Sequence, residues 1–282
     1  MKRCLRAIAP AVLAALLACA CASVPPPESR TAQQAAALNQ RAARAFEQGD
    51  YRRATALYEQ ALRLDAAVEN IEGIAANGLS LARAHQAAGD ATAAHRVLDE
   101  LLAEQPLPIE QARRAEAQAR KAQLYLDAND TARALEWSDR SLGSCIGCAS
   151  LPALQGLRGR AALAAGDPAA ALDWAGKALA AAGSGIERAG ERASALRLAG
   201  EARLARGEHQ AAMAPLEQAL EIDRGLGLPS RIHADLMALG RAHLRLGNRA
   251  AARDYFSRAR RVGEAANDPA GVRAAERAIE GL

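Results

Sequence analysis

Small and apolar residues return along this chain with a period near forty. Each return is marked by a turn: Gly49-Asp50, Gly89-Asp90, Asn129-Asp130, Gly166-Asp167, Gly207-Glu208 and Gly247-Asn248. The intervals are 40, 40, 37, 41 and 40 residues. Five residues after each turn residue stands Ala54, Ala94, Ala134, Ala171, Ala212 or Ala252, and seven before it stands Ala42, Ala82, Ala122, Gly159, Gly200 or Gly240. Small residues on both sides of a turn are what two antiparallel helices need where they approach closely, because a larger side chain would push them apart. Nine residues after the turn the large apolar groups Tyr58, Leu98, Leu216 and Phe256 recur, with Ser138 and Ala175 as departures. Twelve after it come Ala61, Leu101, Ser141, Ala178, Ala219 and Ala259.

The pattern predicts helical hairpins at 32–66, 70–105, 109–144, 151–182, 186–224 and 230–266. A last helix, Pro269 to Glu280, places Val272, Ala275 and Ile279 at helical spacing. Gly or Asn suits the left-handed residue that ends a helix, and the Asp or Asn after it can cap the next. Pro152, Pro168 and Pro229 fall near helix starts, where Pro is tolerated.

The turn frame resembles that of the tetratricopeptide (TPR) family. Gln48-Gly49-Asp50-Tyr51 with Ala54, Tyr58 and Ala61 is the best match, and Pro106 falls at the terminal Pro position of the second unit. The early Trp and Tyr of the family pattern are largely missing. The resemblance covers roughly 35–280 and implies an all-α, right-handed superhelical solenoid of about six hairpins with a C-terminal capping helix. The family unit is about 34 residues long. The surplus predicts longer first helices and slightly longer joints between units.

Composition agrees with an all-helical chain. Half of the 282 residues are hydrophobic, only 3% are aromatic, and Ala and Leu dominate the apolar set. The formal charge is +4, and removing Lys2, Arg3 and Arg6 with a cleaved leader lowers it to +1. So balanced a chain lacks the concentrated basic face of a nucleic-acid binder.

The first eighteen residues read as a secretory signal: a basic start, then an apolar run from Ala7 to Ala18 that is too short for a permanent membrane span. Leu16-Leu17-Ala18-Cys19 resembles a bacterial lipobox, with Cys19 as the lipidated residue and Cys21 as the alternative. Ala20-Cys21-Ala22 also fits an ordinary signal-peptidase site, which would give a soluble secreted protein. Residues 19–31, with Pro25-Pro26-Pro27, suit a short extended tether, leaving 32–282 as the solenoid. By resemblance to Gram-negative sorting signals, Ala after the Cys implies the outer membrane, periplasmic side.

In the TPR family the first helices line a concave face that grips a peptide or a partner's helix. The position after the small first-helix site would point into it: Ala43, Arg83, Gln123, Arg160, Glu201 and Arg241. Four positions earlier lie Asn39, Leu79, Ala119, Gly156, Arg197 and Met237. The expected groove residues are Asn39, Arg83, Gln123, Arg160, Arg197, Glu201, Met237 and Arg241. The guanidinium groups suit an acidic or carboxylate-bearing segment, although a solvated helix face also carries such charges. The Lys/Asn carboxylate clamp of chaperone-binding relatives is not reproduced, since the Asn39 site pairs with Ala43.

Cys145-Ile146-Gly147-Cys148 falls in the joint after the third hairpin. Its spacing allows a local disulfide in an oxidising compartment or, as an alternative, thiol-disulfide chemistry, although no βαβ unit accompanies it. No His stands with Cys or acidic residues at metal-ligand spacing, and no phosphate loop or nucleophile elbow is present. His85 and His243 occupy equivalent positions and read as packing residues. The expectation is a partner-binding adaptor without cofactor or metal, not an enzyme. A close architectural analogue is the pilotin class of outer-membrane lipoproteins, from which the longer repeat period departs.

Overall fold

The computed structural model describes residues 29–104 and 108–282. The signal segment, Cys19, Cys21, most of the tether and Pro106 lie outside the described residues. Thirteen α-helices make up the described chain: α1 (Arg30–Glu47), α2 (Tyr51–Ala67), α3 (Ile71–Ala87), α4 (Ala91–Leu102), α5 (Gln111–Asp127), α6 (Thr131–Ser144), α7 (Leu151–Ala164), α8 (Pro168–Ala182), α9 (Ala189–Ala205), α10 (His209–Gly225), α11 (Pro229–Arg245), α12 (Arg249–Ala265) and α13 (Pro269–Glu280). Among the described residues there is no strand. Six hairpins are stacked in chain order, and α13 covers the last.

Each turn residue does what its chemistry allows. Gly49, Gly89, Asn129, Gly166, Gly207 and Gly247 all have positive φ, from 56° at Asn129 to 84° at Gly166, the helix-ending conformation that glycine adopts without a Cβ penalty and asparagine tolerates. The next side chain then caps the following helix. Asp50, Asp90, Asp130, Asp167 and Asn248 each accept from the backbone N–H three residues on. Glu208 makes no such bond; its extra methylene carries the carboxylate away from the N–H that a shorter side chain reaches.

The small sites are the contact points of the hairpins. All six Ala residues five positions after the turns are fully buried, as are Ala42, Ala82 and Ala122. A Cβ on Gly240 would overlap the Phe256 ring, and one on Gly200 would overlap Leu216. The large residue nine positions after the turn therefore fills the space that the small residue seven positions before it leaves. Overpacking such a site costs typically about 1–3 kcal/mol. Where that residue is small, at Ser138 and Ala175, the neighbouring Trp137 and Trp174 pack half-buried between cations instead, Lys121 and Arg140 on one and Arg158 and Lys177 on the other.

The surplus over the family's unit length is distributed differently from the expectation. First helices are long, at 17 or 18 residues, except α7 at 14. Second helices are lengthened too: α2, α10 and α12 reach 17 residues and are followed by joints of three (68–70, 226–228 and 266–268). Joints are longer only in the middle, at 103–110, 145–150 and 183–188, and there the second helices shorten to 12, 14 and 15 residues. The short joints repeat the turn geometry, with Glu69, Gly227 and Asn267 at positive φ. Pro152, Pro168 and Pro229 stand in the first turns of α7, α8 and α11. Helix α1 begins at Arg30 with Ser29 as its cap, so the last two residues of the expected tether are helical.

Candidate functional site: the inner helix face

Successive first helices α1, α3, α5, α7, α9 and α11 touch one another. Each second helix packs on the first helices of its own hairpin and the next. The first helices thus form the inner layer.

Along that layer the residues after the small sites meet in pairs from consecutive units. Arg160 donates to Gln123 Oε1 at 2.7 Å, Gln123 donates in turn to Asp127 at 2.7 Å, and Arg241 donates to Glu201 at 3.0 Å. Arg83 lies over the Phe46 ring, 4.2 Å from its centroid. Met237 is half-buried against the core of the fifth and sixth hairpins. A cleft of about 350 Å³ opens between α7 and α9, lined among others by Gly156, Arg160, Ser194, Arg197, Glu201 and Arg231. Arg160 has no carboxylate partner among the described residues. The protein crowding the cleft pulls its guanidinium below the ordinary value, while part of the side chain still reaches solvent.

Two of the expected groove residues are used elsewhere. Asn39 donates to Asn77 Oδ1 at 2.5 Å, and Asn77 donates to the buried Asp65 at 2.6 Å; Asn70 reaches the other Asp65 oxygen at 2.7 Å. Arg197 donates to Asp235 at 2.8 Å, to Asp223 at 3.1 Å and to the Arg231 carbonyl at 3.2 Å. Both residues bind one hairpin to the next beneath the inner face. Asp223 and Asp235 are completely buried, and the oxygens Asp223 Oδ1 and Asp235 Oδ2 have no hydrogen-bond partner among the described residues. Burial pushes the Asp235 carboxyl up to about 7, with Asp223 adding to the rise and Arg197 opposing it.

The structure joins the Cys145 and Cys148 sulfurs, with Cα atoms 5.2 Å apart, in the joint before α7. Cys145 is buried and Ile146 protrudes. His243 stacks on Tyr255, centroids 5.1 Å apart, and Tyr125 packs against His95 at 4.8 Å. Burial, with Lys121 adding to it, holds the His95 imidazole below its ordinary value. Among the described residues no cluster of three or more His, Cys, Asp or Glu could hold a metal ion, and no helix is long and apolar enough to cross a membrane.

No curated protein matches the chain at a significant level. The chain is similar in structure to kinesin light chain TPR-like repeats from Podosopora anserina, with 21% identity over 71% of this chain and 99% of that one and a TM-score of 0.54. It is similar to BtubC from P. vanneervenii, with 19% identity over 85% and 93% and a TM-score of 0.55. A Rap protein complexed with Competence and Sporulation Factor matches at 14% identity over 84% and 67%, with a TM-score of 0.59. These likenesses show the fold. A tetratricopeptide-repeat family model matches residues 79–147, and the described chain as a whole has a TPR-like helical fold.

Proposed function

We propose that this protein is a membrane-anchored adaptor on the periplasmic side of the outer membrane, and that its inner helix face holds an acidic or carboxylate-bearing segment of a protein partner during assembly of an envelope complex. The coarser part, a TPR-type interaction scaffold, rests on the family match and the fold. A neighbour of the same fold is described in complex with a named factor, which supports the use of such a solenoid as a holder. The TPR family is generally non-catalytic, and the reading needs no reaction.

The observation that carries the partner's chemistry is Arg160. Its guanidinium lines the cleft between α7 and α9 and donates only to a neutral amide. Arg offers a planar pair of donors that matches a carboxylate. The anchor rests on the lipobox-like Leu16-Leu17-Ala18-Cys19 and on Cys21. Replacing both Cys19 and Cys21 with Ser is expected to abolish acyl labelling.

The decisive test begins with crosslinking in intact cells to identify the partner. Its affinity is then measured for the protein and for Arg160→Glu with Arg241→Glu. Binding is expected to fall at least about tenfold, given two charge-assisted contacts reversed in sign. Undiminished binding would sink the groove assignment.

A further inference from the structure

Two guanidinium groups connect the cleft between α7 and α9 to the buried aspartates beneath it. Arg197 lines the cleft, and its bonds to Asp223, Asp235 and the Arg231 carbonyl all leave from one nitrogen, Nη1. Arg231 lines the cleft as well; its Nη1 donates to the Gly190 carbonyl at 2.8 Å and stands 3.9 Å from Asp223 Oδ1. A charge that enters the cleft therefore acts, past these two side chains, on carboxyls that are completely buried.

The balance of charge gives the direction of that action. The lining brings three guanidiniums, Arg160, Arg197 and Arg231, and two carboxylates, Glu191 and Glu201. Asp223 and Asp235, if both are ionised, leave this assembly one negative charge in excess. Farther out, Asp127 acts on Arg160 and Arg241 pairs with Glu201, and these two offset each other. A ligand carboxylate would double the excess, in a crowded place where unbalanced charge is costly. One proton on the aspartates cancels the arriving charge.

The pair is suited to hold that proton. A proton on Asp235 can be hydrogen-bonded by Asp223, and Asp223 Oδ1 and Asp235 Oδ2 accept no donor among the described residues. Burial above all, with Asp223 adding and Arg197 opposing, raises the Asp235 carboxyl to about 7, so the proton exchanges near neutral pH. Other charged groups on the surrounding helices are engaged elsewhere. His233 meets the Gly271 carbonyl on α13 at 3.1 Å, and Arg224 of α10 lines a separate groove with Arg258 and Arg261. On α12, Asp254 pairs with Arg258 and Glu264 with Arg260.

We infer that the cleft is a proton-linked carboxylate site: a carboxylate bound beside Arg160 is accompanied by a proton taken up by the Asp223–Asp235 pair, and the partner is held more tightly as pH falls. The linkage is reciprocal, so a filled cleft also holds the proton more firmly. The inference rests on the cleft being the binding site proposed above.

The probe is a rhodamine-labelled hexaglutamate peptide, whose own carboxyls stay ionised from pH 6 upward. Its affinity for the purified full chain is measured by anisotropy at pH 6 and pH 8, at constant ionic strength. Binding is expected to be about fivefold tighter at pH 6, and Asp235→Asn is expected to erase that ratio. Calorimetry of the unaltered protein near pH 7.5, in two buffers of different ionisation heat, should show part of a proton taken up per peptide bound. Equal affinity at the two pH values, no proton uptake, or a ratio that survives in Asp235→Asn overturns the inference and leaves the groove reading standing. A peptide that does not bind, or that binds Arg160→Glu with Arg241→Glu undiminished, overturns both.

Discussion

The joint between the first two hairpins and the joint between the last two hairpins are built on the same frame with different charges. Asp65 and Asp223 each stand sixteen residues after their turn glycines, Gly49 and Gly207. Twelve residues on, Asn77 and Asp235 face them from the next first helix, and Asn39 and Arg197 close the two networks from the first helix before. The N-terminal joint surrounds one carboxylate with neutral amides. The C-terminal joint sets two carboxylates against Arg197, with the half-exposed Arg231 at 3.9 Å from Asp223. In the first, both Asp65 oxygens accept a donor. In the second, one oxygen of each aspartate accepts none among the described residues. The same register can therefore be held by a satisfied polar network or by a charge balance, and the second responds to protons in the range where Asp235 titrates.

The largest effect that would test this difference is removal of the shared cation. Arg197→Met leaves two buried carboxylates facing each other and is expected to cost about 3–5 kcal/mol at pH 7 in denaturant unfolding. The loss should shrink at pH 5, where Asp235 holds a proton. The sign for the native protein follows from the raised carboxyl, about 7 against an ordinary 3.8. The folded state binds that proton more tightly than the unfolded chain. The contribution is therefore fully present below the unfolded value and is lost as pH rises through about 7. Asp235→Asn keeps an acceptor for Arg197 and should flatten this slope between roughly pH 4 and 7. An unchanged slope would break the contrast between the joints.

A smaller loss is expected at the neutral joint. Asp65→Ala strands the Asn70 and Asn77 amides and should cost on the order of 2–3 kcal/mol in the same measurement. A cost equal to that of Arg197→Met would show that charge adds nothing to the second network.

The smallest effect compares the turns. Glu69 and Gly227 hold the same position of the two joints at φ 53° and 64°. Glu69→Gly is expected to raise stability by up to about 1 kcal/mol, and Gly227→Ala to lower it by about as much, because only glycine adopts that conformation freely. Equal shifts of one sign in thermal unfolding would contradict the shared geometry.

Much of the fold was legible because its signals are local. A turn glycine, its capping Asp and the small residues five after and seven before act within one hairpin, and sequence spacing reports such contacts directly. The lengths of the second helices were not legible. The second hairpin is expected to run to 105 and α4 ends at Leu102; Ala103, Glu104 and Gln105 are all residues a helix accepts, so the sequence does not mark where the helix gives way to a joint. At the inner face, Gln123 with Arg160 and Glu201 with Arg241 were found by frame and do meet in the structure. Frame alone did not show that Asn39 and Arg197 also carry buried links, because Asn77 and Asp235 lie 38 residues away in the next hairpin and Asp223 lies 26 away on the second helix of the same one. One signal could have exposed them. The position sixteen after the turn holds Cys145, Ala182 and Gly263 in other units, so an aspartate there has to be buried and has to be answered.

The exchange between second-helix length and joint length has a consequence for engineering. Where α4, α6 and α8 stop short, the chain spends the difference in the joint and the next first helix still starts on schedule. Foreign sequence spliced into 103–110 or 183–188 would add to a stretch whose length the stack does not fix. The same splice at a turn would separate a capping Asp from the helix it closes. A reporter, epitope or second binding module is best grafted at those joints, and the repeat register gives the builder its own ruler for placing it.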